Sequence, residues 1–404
     1  MKTRLKRIAI VLDFRPWSGG IHQYSESLLE AIIELGVDRY LVDVLCVGGD
    51  WKGVITQRAN QRVLYFSKLS RCFSNLLHFT AVPKGVSRWL SAKLSPVCRH
   101  IVGNSYDFVF FPGQDVLSYQ CPCIALTSIH DLMHRYEPTF PEVSSLFRYT
   151  LRERRFRGIV THSHAVFADS ELGAIQICES YGLDRSRVHI LRYTPSISRS
   201  PPSCDAENSL RLNLPDNFLF YPAQFWKHKN HESLIIALYL LRKEGVPAVL
   251  VFTGAKKYEY KRLLSLVSRY CLEESVKFMS HIPKDSMGYV YSRAKGLIMP
   301  TFFGPTNIPP LEAMVFGCPV AVSDIYASRE VYGDAALYFN PRCVLEIVSC
   351  MRRIWSDSQL CTDLRERGFR KVESFSKSAF RQSLACSIDT MFSDKALFGT
   401  SFVD

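Results

Sequence analysis

The chain predicts an α/β protein made of two parallel-sheet halves, and three observations carry that prediction. Short, nearly continuous apolar runs alternate with stretches of helical period, the pattern of strands buried on both faces. A Ser/Pro-rich stretch, TPSISRSPPSCDAENS at 194–209, divides the alternation in two. At 404 residues and 47% hydrophobic, the chain is long enough for two full cores.

The elements follow in order. RIAIVLDF reads as the first strand, residues 16–20 as a loop, and IHQYSESLLEAIIEL as a helix with Ile21, Tyr24, Leu28, Ile32 and Leu35 on one side. Further strands are expected at YLVDVLCV, YDFVFFP, PCIALTSIHD, GIVTHS and AVFADS. After the linker a second alternation begins: FLFYPAQ, a helix from His231, AVLVFTG, a helix, VKFMS, and a helix over 285–294. GLIMP, the loop 301–309, a helix from Pro310 and PVAVSD complete it, before a last helical tract over 341–392. The division is therefore 1–195, a linker at 196–215, 216–375, and a closing helix at 376–404. In open parallel sheets ligands sit beyond the carboxyl ends of the strands, so the strand-end loops are where chemistry is sought.

Composition narrows the classes. The apolar run near the N-terminus, Ile8 to Leu12, is too short for a secretory leader, and no window approaches a membrane span. A reducing, cytoplasmic setting is expected for the 13 cysteines. The CPC at 121–123 lacks the spacing and partners of a metal site. The net charge is +12, and between Trp51 and Tyr106 there are nine basic residues and no acidic one. Within KGVSRWLSAKLS, Val86, Leu90 and Leu94 recur every four residues beside Trp89, flanked by Lys84, Arg88 and Lys93. That pattern fits a helix on an anionic lipid surface, or a core-facing helix with a basic edge. No nucleic-acid motif accompanies the charge.

Several strand-end loops carry polar groups suited to a ligand. Gly19 and Gly20 open a helix whose free N–H groups suit phosphate. His130 and Asp131 end a strand, where the imidazole can bond a hydroxyl and the carboxylate can orient the ring. ADSE at 168–171 reads as a helix cap. Lys227 and Lys229 precede a helix that Asn230 could cap, and an ammonium there would neutralise a diphosphate. A solvated turn lysine is the plainer alternative. Gly254 ends FTG at a turn. In FGPTNIPPLEAMVFG, Pro310 suits a first helical turn, which would place Glu312 where the helix dipole favours a carboxylate. Glu312 could equally accept bonds from two adjacent hydroxyls, while Thr306, Asn307 and Ile308 offer N–H groups.

The order of GG, HD, ADSE, the lysine loop, FTG and FGPTNIPPLEAMVFGCPVAVSD resembles the retaining glycosyltransferases of family 4, over nearly the whole chain. The resemblance implies the GT-B fold: two Rossmann-like domains with parallel sheets facing across a cleft. It implies nucleotide-sugar on the second domain, acceptor on the first, and a last helix returning to the first. Glu312 is similar to the family's ribose-binding glutamate, whereas Gly304 stands where the motif has its first glutamate. Gln224 stands where the family often has arginine, and Lys229 matches its diphosphate lysine. His130 matches the histidine near the transferred sugar, and Gly20 the glycine beside the phosphate.

The donor set so implied is Gly19, Gly20, Gln224, Lys229, Gly254, Thr306, Asn307, Ile308 and Glu312, with His130 and Lys229 catalytic. The chain contains no Asp-x-Asp, so no metal is expected, and the resemblance implies no other cofactor, the nucleotide-sugar being a co-substrate. The expected activity is retaining, metal-independent transfer, with GDP-mannose the leading donor, to a lipid-linked glycan in O-antigen or capsule synthesis. Its place would be the inner face of the cytoplasmic membrane, peripherally bound. Alternatives on the same fold are a nucleotide-sugar 2-epimerase, a phosphorylase, and a non-catalytic sugar-nucleotide or glycan-binding subunit.

Overall fold

The computed structural model describes residues 5–13, 20–36, 39–48, 51, 55, 61–80, 82–195, 214–279, 282–304 and 307–393. The expected linker lies outside these residues except for 214–215, as do Gly19 and Thr306.

Two compact units are formed. The first holds residues 1–134, 146–193 and 377–404. Its sheet comprises β1 (Lys6–Leu12), β2 (Tyr40–Val47), β3 (Gln61–Phe66), β4 (Phe108–Phe111), β5 (Ala125–Ser128), β6 (Ala165–Ala168) and β7 (Val188–Ile190). All are parallel, in the order β3-β2-β1-β4-β5-β6-β7. The strand cores are fully buried, as their unbroken apolar runs require: Ile8 to Leu12 and Phe108 to Phe111 are each at most 1% exposed.

The second unit holds 135–145 and 194–376. Its strands are β8 (Leu219–Pro222), β9 (Leu250–Thr253), β10 (Val276–Met279), β11 (Gly296–Met299), β12 (Val320–Ser323) and β13 (Leu337–Phe339). Their order is β10-β9-β8-β11-β12-β13, again all parallel. In both sheets the order reverses beside the first strand, between β1 and β4 and between β8 and β11. At such a switch point the connections leave in opposite directions and open a crevice.

Four expectations are corrected. GIVTHS is not a strand but the end of the helix Leu146–His162. Phe156, Ile159 and Val160 are buried while Arg157 and Thr161 are exposed, which is helical spacing. Gly158 lets this helix pack on Tyr119, whose ring an added Cβ would approach to 2.9 Å. The helix expected from Pro310 starts at Ile308, with Asn307 as N-cap, so Glu312 lies past the first turn. Asn230 precedes the helix His231–Lys243 without capping it through its side chain. The tract over 341–392 is three helices, Val344–Ser356, Ser358–Glu373 and Lys377–Ser393.

The last of these belongs to the first unit. It buries Phe380, Leu384, Ile388 and Met391. Lys377 and Arg381 pair with Glu30 and Glu34 on the helix Gly20–Gly36.

Candidate active site

The second unit's switch point gathers the lysine turn and the loop after β11. The turn Lys227–Lys229 leaves β8, and its middle residue, His228, ties the two loops together. The His228 carbonyl accepts from Phe302 N at 2.8 Å and from Thr301 Oγ1 at 3.1 Å. Its ring stacks on Phe303 with centroids 4.1 Å apart. Asn230, in the left-handed region at φ 56°, donates both Nδ2 hydrogens, one to Pro300 O and one to Pro341 O, each at 3.0 Å. Asparagine tolerates that backbone, and its amide joins the ends of β11 and β13 to the turn instead of capping.

These ties set Lys229, whose Nζ donates to Asn307 Oδ1 at 3.4 Å. Asn307 Nδ2 in turn donates to Gly304 O at 3.0 Å, and Tyr332 OH donates to Asn307 O at 2.8 Å. Gly304 has φ +123°, and a Cβ there would lie 2.8 Å from Asn307 Oδ1. The Asn307 carboxamide therefore fills the room that a side chain at 304 would need, which accounts physically for glycine in place of glutamate.

Glu312 is 5% exposed, and its Oε2 accepts from Tyr291 OH at 3.0 Å. A buried carboxylate needs such donors. Gln224 Oε1 accepts from Trp226 Nε1 at 2.9 Å. Gly254 passes so close to the end of β8 that a Cβ would sit 2.2 Å from Ala223 O. Ile308 is the first residue of its helix.

An open cavity of about 470 Å³ adjoins the ends of β11 to β13, lined by Phe302, Asp324, Arg329, Arg342 and Glu137 among others. Its charges pair internally, Arg329 with Asp324 and Arg342 with Glu137.

In the first unit, His130 follows β5 with both ring nitrogens engaged. Nε2 donates to Pro112 O at 2.7 Å, which leaves Nδ1 to accept from Tyr193 OH at 2.7 Å. Burial pushes its pKa down to about 4, against the Pro112 bond and Asp131. The ring is neutral near pH 7. Asp131 does not orient the ring as expected; it accepts from Arg152 Nη2 at 2.9 Å and from Met133 N at 3.0 Å. Gly20 is the first residue of its helix. ADSE is a cap: Ser170 Oγ accepts from Gly173 N at 3.1 Å. At the β1/β4 switch point, Asp13 pairs with Arg71 at 3.0 Å. Burial and then Asp115 push the Asp13 carboxyl up to about 8, opposed by Arg71.

The basic stretch resolves one of the alternatives for its helix. In Lys84–Leu94 the buried residues are Ser87 and Ser91, while Val86, Trp89 and Leu94 are exposed, Trp89 by 61%. Leu90 is partly buried, but the apolar stripe faces outward at Val86, Trp89 and Leu94, and the helix turns its serines to the core. The helix Lys68–Phe79 likewise exposes Leu69, Leu76 and Phe79, and the Phe79 ring stacks parallel with exposed Phe147. Lys84 and Arg88 are partly buried, and Lys93 is exposed. No helix among the described residues is long and apolar enough to cross a membrane.

Comparison with known proteins agrees with this architecture. Residues 205–371 match the family of glycosyl transferases group 1. The chain is 25% identical over 256 residues to the O-antigen chain mannosyltransferase B of Escherichia coli, covering 62% of this chain and 66% of that protein. It is 26% identical over 220 residues to the O-antigen chain mannosyltransferase RfbU of Salmonella typhimurium, covering 53% and 56%. The matches thus span about two thirds and just over half of these relatives' own lengths. The fold superposes on Anabaena Alr3699/HepE, crystallised with UDP-glucose, at a TM-score of 0.70 and 16% identity, over 95% of this chain and 99% of that one. The family match falls within the second unit, and the superposition shows a fold of two parallel α/β units of GT-B type.

Proposed function

We propose that the chain transfers a hexosyl group, with mannose from GDP-mannose the leading case, onto a lipid-linked glycan during O-antigen or capsule assembly, as a retaining enzyme of family 4. The observation that carries this reading is Lys229 held against Asn307 at the β8/β11 switch point, Asn307 being the N-cap of the helix that carries the buried carboxylate of Glu312. An ammonium fixed in a crevice at the carboxyl edge suits a diphosphate, and a carboxylate nearby suits a pair of ribose hydroxyls. The names of the mannosyltransferase relatives support the sugar and the pathway, and HepE with UDP-glucose supports a nucleotide-sugar donor.

In this reading the bond from the sugar's anomeric carbon to the diphosphate breaks through an oxocarbenium-like state. The acceptor hydroxyl attacks on the same face, and its proton passes to the departing diphosphate. Lys229 and the helix N-terminus at Ile308 meet the leaving charge, and with no Asp-x-Asp in the chain no metal takes part in the proposed step. Asn307, Gln224 and the glycine turn at Gly254 border the donor on the second unit. The expected role of His130, holding a sugar hydroxyl, requires one ring nitrogen to exchange its bond to Pro112 O or Tyr193 OH. Lys84, Arg88, Trp89 and Lys93 face an anionic membrane surface from the acceptor unit.

Labelled GDP-mannose with a lipid-linked acceptor should yield product of retained anomeric configuration by NMR, unaffected by EDTA. Lys229→Ala should lower turnover about a hundredfold or more with the melting temperature kept. Near-normal turnover in that variant removes Lys229 from the chemistry.

A further inference from the structure

Residues 135–145 leave the first unit after His134 and rejoin it at Leu146, yet they fold as part of the second. Three of their side chains anchor them there. Glu137 accepts from Tyr326 OH at 2.8 Å and pairs with Arg342 at 3.6 Å. Phe140 packs on Phe302 and Phe303, with centroids 5.3 and 5.4 Å away. Glu142 reaches the lysine turn itself: its Oε1 accepts both His228 N and His228 Nδ1, each at 3.1 Å. The Glu142 side chain is 7% exposed and that of His228 12%.

We infer that Glu142 is a positioning residue for the donor diphosphate: through His228 it holds the Lys227–Lys229 turn so that Lys229 faces Asn307. The inference rests on the reading of Lys229 proposed above.

A three-residue 3₁₀ turn has few internal bonds and little to hold it. His228 is its middle residue, and each side of His228 is tied. Its carbonyl and ring face are held by residues 301–303, and its N–H and Nδ1 by Glu142. Removing Glu142 would strip one side, leaving a buried N–H without its acceptor. The turn would gain freedom, and an amine one residue away would meet a diphosphate less often in the productive place. Burial pushes the Glu142 carboxyl up, but bonds from His228 and Tyr258 outweigh it and hold the pKa down to about 2. Glu142 is therefore an anion near neutral pH.

The test uses the full chain, with GDP and UDP as calorimetric probes and amide hydrogen exchange of residues 227–229 as a second readout. In Glu142→Ala, exchange in the turn should rise and affinity for whichever diphosphate the wild type binds should fall about tenfold. Glu142→Gln keeps one oxygen for the backbone N–H and should recover part of the loss. Glu137→Ala removes a different anchor of the same segment and should leave affinity unchanged. Glu142→Ala with wild-type affinity, or with unchanged exchange in the turn, overturns the inference, as does an equal loss in Glu137→Ala. A wild-type chain that binds neither GDP nor UDP overturns the donor-site reading and the inference together. It is told apart from a failed latch because the wild type itself is then silent.

Discussion

Gly304 and Lys229 show how much a single position decides. Glutamate cannot simply be restored at 304, because φ +123° disfavours any side chain and Asn307 occupies the space. Gly304→Glu should therefore destabilise the chain by about 1–3 kcal/mol in urea unfolding and should not raise activity. Gly254→Ala meets a backbone oxygen rather than a side chain that could move, so its cost should be at least as large. At this scale the sequence was partly legible. The lysine, the glycines and Glu312 stand in short motifs with a local physical reason. Their partners do not: Tyr291 on Glu312, Glu142 on His228 and Tyr193 on His130 are 21, 86 and 63 residues away along the chain. No local pattern announces a contact of that kind. The pairing of His130 with Asp131 failed for the same reason, since an arginine from a distant helix takes the carboxylate.

Among the elements, strong periodicity was readable and short edge strands were not. β3, β7 and β13 went unassigned. β7 and β13 have only three residues each, and β3 alternates partly buried with exposed positions, so none presents a long apolar run. The helix Lys84–Leu94 was legible as amphipathic, but period alone cannot say whether an apolar stripe turns inward or outward. Here Ser87 and Ser91 take the inner side. Trp89→Ala combined with Leu94→Ala should weaken co-sedimentation with anionic liposomes severalfold while leaving the fold intact, because both side chains are more than half exposed. Binding that is unchanged, or insensitive to salt and lipid charge, would sink the membrane reading. The helix Lys377–Ser393 behaves oppositely. It buries four apolar side chains in the first unit, so deleting it should cost several kcal/mol, on the order of 1.5–3 for each, and leave that unit poorly soluble.

For the molecule as a whole, the buried imidazoles set an acid limit. Burial pushes His231 down to about 3 and His78 and His134 down to about 4, each from 6.5. A histidine whose folded pKa is depressed binds its proton first in the unfolded chain. The stability it contributes is complete above pH 6.5 and is lost as the pH falls through 6.5 towards the folded value. The melting temperature should drop between pH 6.5 and 4. His231→Phe, among the rings of Tyr221, Phe225 and Phe252, should flatten that drop by on the order of 2 kcal/mol.

The two units also trade pieces of chain: 135–145 serve the second and 377–393 the first. A protease nick within 196–213 would yield two fragments, each carrying a segment that completes the other's unit. Such fragments should stay together through purification and recover from co-expression as a pair, whereas either one made alone would lack part of its core.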